Sequence, residues 1–596
     1  MAHIMATAIQ ELYPEAKFGV GPVVDEGFYY DIDVDNTLTP EDLKKIEAKI
    51  KEVIKADYPF ERKELSLGEA ISLFEEKKQP YKVELLKDLQ KYGTTSAKDI
   101  DREQLGTDTE KVESVSLYQN GPFLDLCRGP HLESTGKAGA FKLTRVSGAY
   151  WRGDEKNPQL QRIYGVAFAT RDDLKTYLER VAEAEKRDHR KLGKQLDLFT
   201  FSPIVGSGLP LWTPKGTAIR SELQKALIDA SEDFNVQPVT IPHIAKIDLY
   251  ETSGHADKFK DELLHVKGKY QDFVLKPVNC PHHTQIYAAS PRSYRDLPIR
   301  YMESTMQYRD EKPGEIGGLT RVRAITVDDG HTFCTVDQIK EEAKSIAKII
   351  ERFYTTLGMY GNHWVSLSVR DADDRSGYIG DESDWERAEQ LLQEVSDELG
   401  LDAQRMEGEA ALYGPKLDFM FKDALGNERQ LSTIQIDFAM PKRFGLKYTA
   451  SDGEEKTPVM LHRAILGSYE RFMAILIEHF AGNFPTWLAP VQVQLATVND
   501  SDAIFNKAKQ WQDELKVLGI RTELDASSES VGKKIRSASM QKVPYTIVVG
   551  EKELESNRVS PRVRADLGTY EKTLPFNEFL MKIQEEVNER KATSSL

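Results

Sequence analysis

Arginine offers phosphate a planar, bidentate fork that stays charged at any working pH, and two stretches of this sequence present it in company. In the first, Tyr308-Arg309-Asp310-Glu311 is followed by a glycine-rich turn and by Thr320-Arg321-Val322-Arg323. The pattern predicts arginines on strands either side of a flexible loop, with Glu311 able to accept from an amino group such as that on an adenine edge. In the second, Pro458-Val459-Met460-Leu461-His462-Arg463-Ala464-Ile465-Leu466 predicts a strand that delivers His462. Gly467 then turns the chain, and a helix opens behind Ser468 with Arg471 in its first turn. A helix start suits a phosphate at the end of a nucleotide. Taken singly, each arginine reads as a surface ion-pair residue. A third segment, a helix and strand-like run ending at Pro242, precedes them, and the order of all three gives them weight.

The elements that must position these residues are partly legible. Ile219, Leu223, Ala226 and Leu227 repeat at i, i+4, i+7 and i+8, which predicts an amphipathic helix, and Val236–Pro242 reads as a strand after it. Residues 196–487 mix long helices with apolar strands. Near the start of the chain, Gly27–Ile32 predicts a strand. A helix opens at Thr39, a natural N-cap, with Pro40 at the first helical position, Asp42 in the first turn, and Leu43, Ile46, Ile50 and Ile54 as its apolar stripe. From Asp172 to Lys194 one charged helix is expected, with Leu174, Leu178, Val181 and Leu192 on its apolar side, joining an N-terminal region (1–170) to the middle region; the linker spans 171–195. Beyond Trp487-Leu488-Ala489-Pro490, strands (Val491–Val498, Ile520–Leu524, Tyr545–Val549) alternate with helices (Asp502–Leu518, Val531–Met540). This predicts a small α/β domain over 488–596 with a mostly parallel sheet. The tail Lys591–Leu596 is expected to fray.

Bulk properties narrow the classes. At 596 residues the chain needs several domains. No apolar run approaches a membrane span and no secretory signal opens the chain. Three cysteines, Cys127, Cys280 and Cys334, argue against a disulfide framework and for the cytoplasm. The net charge of −16 (80 basic against 96 acidic residues) argues mildly against nucleic-acid binding, although a local basic face can sit on an acidic body.

The three ordered segments resemble the signature motifs of class II aminoacyl-tRNA synthetases. Within that class the chain is most similar to the threonyl-tRNA synthetases. Lys276-Pro277-Val278-Asn279-Cys280-Pro281, Asp328-Asp329-Gly330-His331-Thr332-Phe333-Cys334, Tyr413-Gly414-Pro415-Lys416 and the Pro458–Ser468 run carry that resemblance, which spans nearly the whole chain. It implies an α+β multidomain protein: an N-terminal α+β editing domain, an antiparallel-sheet catalytic core and a C-terminal α/β anticodon-binding domain. The activity implied is ATP-dependent formation of threonyl-adenylate and transfer of threonine to tRNA(Thr), by a homodimer with no membrane association.

The same resemblance implies site residues that spacing alone could not reveal. Cys280, His331 and His462 are implied to hold one Zn²⁺ with coordination positions left open, the pattern of a functional metal. Asp329 is placed by it at the threonine hydroxyl, Tyr413 near the amino group, and Lys416 and Gln435 in the pocket. Arg309 is assigned to the α-phosphate and to threonine, Arg471 to the γ-phosphate, and Glu311, Arg321, Gln435 and Ser468 to ATP, which carries Mg²⁺; Arg309, Arg471 and Lys416 are implied to be catalytic. Ile325 stands where the family has an aromatic against adenine, and Val327 where it has a glutamine near the amine. In the N-terminal region, Asp125-Leu126-Cys127-Arg128-Gly129-Pro130-His131, Gly27–Asp31 and Tyr81-Lys82-Val83 match the editing domain. They assign His3, Tyr30, Lys82, Asp125, Cys127 and His131 to hydrolysis of seryl-tRNA without a second zinc. His3 matches the second histidine of a His-x3-His pair whose first member would precede Met1, so the chain is expected to lack the family's extreme N-terminal domain. Glu553 and Arg562 fall at anticodon-contacting positions, and Lys533, Lys534 and Arg536 are expected to meet phosphates. The prolyl and histidyl enzymes share the core motifs, and a non-catalytic paralogue is the alternative from another class. The cysteine–histidine set and the phosphate-binding arginines argue against them.

Overall fold

A computed structural model describes residues 1–24, 27–95, 112–154, 156–373, 375, 377–422, 426, 428–570 and 572–596. The chain forms two compact units, Met1–Ala182 and Glu183–Leu596. Among the described residues no helix is long and apolar enough to cross a membrane.

In the first unit a five-stranded sheet built on the Gly27–Asp33, Ala140–Tyr150 and Gln159–Phe168 strands lies beside a three-stranded antiparallel sheet of Phe60–Ser66, Ser114–Asn120 and Phe123–Leu126. The helix Pro40–Ala56 starts as its sequence dictates. Thr39 and Asp42 form a capping box, Pro40 occupies the first turn, and Leu43, Ile46 and Ile50 are buried, with Val53 completing the stripe that Ile54 only grazes. The first helix, Ala2–Leu12, is sunk into the core, with Ile4, Met5, Ala6, Ala8 and Ile9 at 0% exposure. His3 on that helix is thereby carried inside.

The expected single helix over 172–194 is two. Arg171–Arg187 ends, Asp188 leaves helical geometry (φ −46°, ψ 119°), and its carboxylate accepts from Arg190 N–H at 2.7 Å to start His189–Gln195. A residue that caps so readily breaks a helix as well as starting one. Leu174, Leu178 and Val181 therefore share no stripe with Leu192. Leu192 enters the core of the second unit with Leu196 and Leu198, and Ala184 is the buried residue of the first of these helices.

The second unit is organised by an eight-stranded sheet among the described residues. Its order is Gln237–Pro238, Ile299–Tyr308, Ala324–Cys334, Val459–Ala464, Glu428–Asp437, Lys416–Lys422, His363–Val369, Gln404–Glu407. All pairings are antiparallel except the outermost at each edge. The helices Ile339–Thr356 and Tyr469–His479 cover one face through Ile346, Ile350, Phe353, Phe472, Met473 and Leu476. The strand expected over Val236–Pro242 is confined to Gln237–Pro238. Two prolines in seven residues remove donors a longer ladder would need. The arginines of the first motif lie just off the strands instead of on them. Arg309 follows Ile299–Tyr308, Arg321 and Arg323 precede Ala324–Cys334, and Arg309 N–H donates to Arg323 O at 3.0 Å to close the loop's neck.

The C-terminal part has the expected alternation. Thr522–Asp525, Val493–Thr497 and Tyr545–Val549 are parallel, and Arg562–Val563 adds an antiparallel edge. The tail is docked, not frayed. Tyr545 Oη donates to Glu586 Oε2 at 2.7 Å and meets Ser594 Oγ at 2.6 Å, while Ser595 N–H donates to the same Glu586 oxygen at 2.8 Å. Glu586 is 1% exposed, and a buried carboxylate must be satisfied, so it recruits the terminus. Tyr545→Phe is expected to lower the unfolding free energy in urea by about 1–3 kcal/mol and to open residues 591–596 to proteolysis. Unchanged stability and protection would mean that these bonds do not hold the tail.

Candidate active site and thiol cluster

The antiparallel register carries the site. On Ala324–Cys334, alternation turns Ile325, Val327, Asp329 and His331 to one face and Thr326 and Asp328 to the other. His331 is paired directly with Tyr301 on one side and His462 on the other, His462 with Gln435, and Gln435 with Lys416. Directly paired residues share a face, so one row across the sheet holds Tyr301, His331, His462, Gln435 and Lys416. The helix Cys280–Ala288 brings its first residue over this row. One ligand-type atom each of Cys280, His331 and His462 lies within 4.8 Å of the others, and all three residues are buried.

The donor set fits a cation. His462 Nε2 lies 3.0 Å from Asp437 Oδ2, so the imidazole donates there and keeps a lone pair on Nδ1. Asp437 is itself held by the N–H groups of Ala439 and Met440, each 2.8 Å from Oδ1. His331 Nε2 is 3.1 Å from His462 Nδ1. An outer carboxylate that orients a histidine is what a metal ligand requires. Burial pushes the Cys280 thiol well above its usual range, and Asp329 and Asp437 push the same way. Burial also holds His331 far below its ordinary value, with His283 and His462 adding to it. A neutral imidazole beside a buried thiol that ionises only next to positive charge is the chemistry of a soft divalent cation site.

A cavity of about 320 Å³ opens from this row toward the arginines. Cys280, Arg309, Val327, Asp329, His331, Tyr413, Gln435, His462, Ser468 and Arg471 line it. Tyr413 stacks on His462 (centroids 4.4 Å apart, 16° between planes) and donates to Gln435 Oε1 at 2.7 Å. Asp329 accepts from Asn279 Nδ2 at 3.0 Å through one oxygen. Gly467 takes φ +75°, and a Cβ there would meet Leu431 O at 2.7 Å. That turn opens the helix Tyr469–His479, whose N-cap Ser468 accepts from Arg471 N–H at 3.1 Å.

Three expected residues are not among the described residues lining the cavity. Glu311 accepts from Arg321 Nε at 2.7 Å, Arg321 also pairs with Glu315 at 2.8 Å, and the Lys416 ammonium is turned to Asp418 at 2.6 Å. His255, Asn279, His283, Gln307, Gln430, Asp437 and Arg463 were not anticipated. Asn279, His283, Gln307, Asp437 and Arg463 lie within three residues of a residue already singled out, whereas His255 and Gln430 come from other segments, and no spacing marks any of them.

The first unit holds a second constellation. His3, Cys127 and His131 form another close group. Asp125, at its floor, is held by Lys82 and Tyr30, with His3 Nε2 at 3.3 Å. Burial would raise the Asp125 carboxyl, but Lys82 and His3 hold it well below the usual range. Burial likewise works against the Cys127 thiolate, yet hydrogen bonds from His131, His3 and Gly129 N–H bring the thiol down to about 5. The six residues assigned to editing thus stand together, with Cys127 as the low-pKa group. In the C-terminal part, Arg562 is exposed and Glu553 accepts from Gly550 N–H at 3.0 Å, capping its own helix. Lys534 is not a phosphate contact. It is 2% exposed and donates to Thr497 O at 2.9 Å, while Lys533 pairs with Glu529 and Arg536 remains exposed.

An antiparallel sheet with arginines at a loop neck and at a helix start defines a class II aminoacyl-tRNA synthetase core. Residues 259–480 match the tRNA synthetase class II core domain (G, H, P, S and T), 492–586 an anticodon binding domain, and 115–164 the threonyl and alanyl tRNA synthetase second additional domain. The chain is 46% identical over 597 residues to the threonine–tRNA ligase of Gloeobacter violaceus, covering 99% of this chain and 92% of that one. It is 45% identical over 564 residues to that of Halalkalibacterium halodurans (94% and 84%). A solved structure described as the RNA binding domain of threonyl-tRNA synthetase from Cryptosporidium parvum Iowa II aligns with a TM-score of 0.63 at 34% identity, over 67% of this chain and 98% of that one. The chain belongs to the threonine–tRNA ligase family.

The thiol cluster makes a direct prediction. Alkylation of Cys127 by iodoacetamide should follow a titration with its midpoint near pH 5, the rate falling below it as the thiolate is protonated. His131→Ala should move the midpoint upward. A wild-type midpoint at the ordinary cysteine value of about 8.5 would refute the thiolate.

Proposed function

We propose that this chain activates L-threonine with ATP to threonyl-adenylate and transfers it to the 3′ end of tRNA(Thr). The observation that carries the reading is that Cys280, His331 and His462 meet in the wall of a cavity that Arg309 and Arg471 also line. ATP enters with Mg²⁺, and Arg309 and Arg471 neutralise its phosphates. The threonine carboxylate attacks the α-phosphorus in line, diphosphate leaves, and the terminal ribose hydroxyl of the tRNA then attacks the adenylate carbonyl. Positioning and charge neutralisation supply most of the rate in such a transfer.

Selection of threonine falls to the sheet row. Cys280, His331 and His462 would hold Zn²⁺, which would supply Lewis-acid binding of an amino group and a hydroxyl. Asp329 accepts from that hydroxyl, and Tyr413 and Gln435 close the pocket on the amine side. A site that must bond a hydroxyl rejects an isostere without one by about 10⁴-fold or more, whereas an apolar pocket cannot. Val327 and Ile325 leave the amine and the base with apolar neighbours, so more of the selection rests on the cysteine–histidine set. Glu311, Arg321 and Ser468 act on ATP indirectly, by shaping the loop and the helix start.

Serine carries the same hydroxyl, and lack of one methyl costs only about 1–3 kcal/mol. Hydrolysis of seryl-tRNA(Thr) at His3, Tyr30, Lys82, Asp125, Cys127 and His131 answers that leak. Glu553 and Arg562 offer the anticodon an acceptor and a fork for base edges. The protein works in the cytoplasm as a homodimer joined along the segment ending at Pro242.

Cys280→Ser should lower bound zinc and threonine-dependent exchange of diphosphate into ATP together, by at least about 100-fold, the upper end of what loss of an outer partner does. Normal exchange in a variant stripped of metal would remove the zinc from the reading. Arg309→Ala should abolish exchange while the urea midpoint stays at the wild-type value. Normal exchange would release Arg309 from its role.

A further inference from the structure

Among the buried polar atoms around the Cys280–His331–His462 group that have no hydrogen-bond partner among the described residues, two belong together: His283 Nε2 and Glu303 Oε2. They face each other at 3.7 Å. The other ring nitrogen of His283, Nδ1, lies 2.7 Å from His331 Nδ1. The other oxygen of Glu303 accepts from Ile241 N–H at 3.1 Å. His283 is 0% exposed and sits three residues after Cys280 on the same helix, so both project from one face. Glu303 is paired with Asp329, next in the sheet to the Tyr301–His331 pair. A line therefore runs from His331 through His283 to a buried carboxylate.

Protons can be arranged along that line in two ways. If His283 carries its proton on Nδ1, it donates to His331 Nδ1. His331 must then carry its own proton on Nε2, which turns it toward His462 Nδ1 and toward Asp329 Oδ1 at 3.6 Å and leaves no lone pair facing the cavity. The bare Nε2 of His283 would meanwhile face the Glu303 carboxylate, lone pair against charge. If His283 carries its proton on Nε2, it donates toward Glu303 and accepts from His331 Nδ1–H, and His331 Nε2 is left bare. Only the second arrangement lets the Glu303 charge be answered.

We propose that His283 and Glu303 are positioning residues for His331, with Glu303 drawing the His283 proton to Nε2 so that the lone pair of His331 Nε2 stays aimed at the metal position. This rests on the reading of Cys280, His331 and His462 as metal ligands. Asp437 does the same for His462 by a single bond, and Glu303 does it for His331 through an intermediate imidazole. The two carboxylates thus pull protons outward from both ends, and the bare nitrogens of His331 and His462 lie 3.1 Å apart, where one cation would satisfy both.

Glu303→Gln tests this at constant shape. A glutamine can still accept from Ile241 N–H, but its amide now donates to His283 Nε2 and favours the first arrangement. Full-length chain is stripped with a chelator and titrated with Zn²⁺ alone against a chromophoric chelator. Glu303→Gln should bind about 10- to 100-fold more weakly than the wild type. Glu303→Asp, which keeps a carboxylate, should recover part of the loss. His282→Ala, next to His283 but outside the line, should bind as the wild type does. The melting temperature of metal-free Glu303→Gln should match that of the metal-free wild type. Wild-type affinity in Glu303→Gln, or equal weakness in Glu303→Asp, would overturn the positioning role while leaving the ligands in place. A wild type that takes up no Zn²⁺ would instead bring down the ligand assignment itself.

Discussion

Everything at this site follows from the pairing of His331 with His462 across two antiparallel strands. The side-chain period of a strand is two, so a slip by one residue would send one of the imidazoles through the sheet. The register is held by burial on the opposite face. On that face Cys334, Val459 and Leu461 are at most 1% exposed, and on the histidines' own face Phe333 and Met460 are buried beside Cys280 and Tyr301. Packing of an ordinary apolar core thus fixes the distance between two polar groups.

The nucleotide end of the cavity obeys a different constraint. Its groups come from a loop neck and a helix start, where the backbone has polar groups to offer. Arg309 is tied to Arg323 through the main chain, and Arg471 follows a turn that tolerates only glycine. Arg309, Arg321 and Arg471 lie close enough to repel one another, which suits a ligand that brings its own negative charge. Glu311 and Arg321 neutralise each other at the edge, so the loop keeps its shape before a ligand arrives.

The first unit solves a charge problem of its own. Asp125 is buried, and Lys82, Tyr30 and His3 surround it. That arrangement leaves His3 and His131 to favour a thiolate at the partly exposed Cys127, with Phe123 packed on His3 and Phe60 and Tyr118 packed on His131. The helix that carries His3 is buried from Ala2 to Ile9, which is why His3 can belong to a preorganised site.

Local order was legible in the residues alone. Thr39, Pro40 and Asp42 announced a helix and its cap, Val531–Met540 and Tyr545–Val549 lie where their periodicity put them, and the arginine-bearing segments were visible in order. Misreadings came where a polar side chain acted on backbone, near or far. Asp188 split a helix, Lys534 turned inward to Thr497, and Glu586 drew in the tail. The cysteine–histidine set was legible only through resemblance, since 51 residues separate Cys280 from His331 and 131 separate His331 from His462. Sequence by itself determined which residue types were present and which short elements they would form, because those depend on neighbours within a few positions. Which nitrogen of His331 is bare, which carboxylate orients it and which lysine is buried were decided by the tertiary structure, because those depend on strands meeting from opposite ends of a long domain.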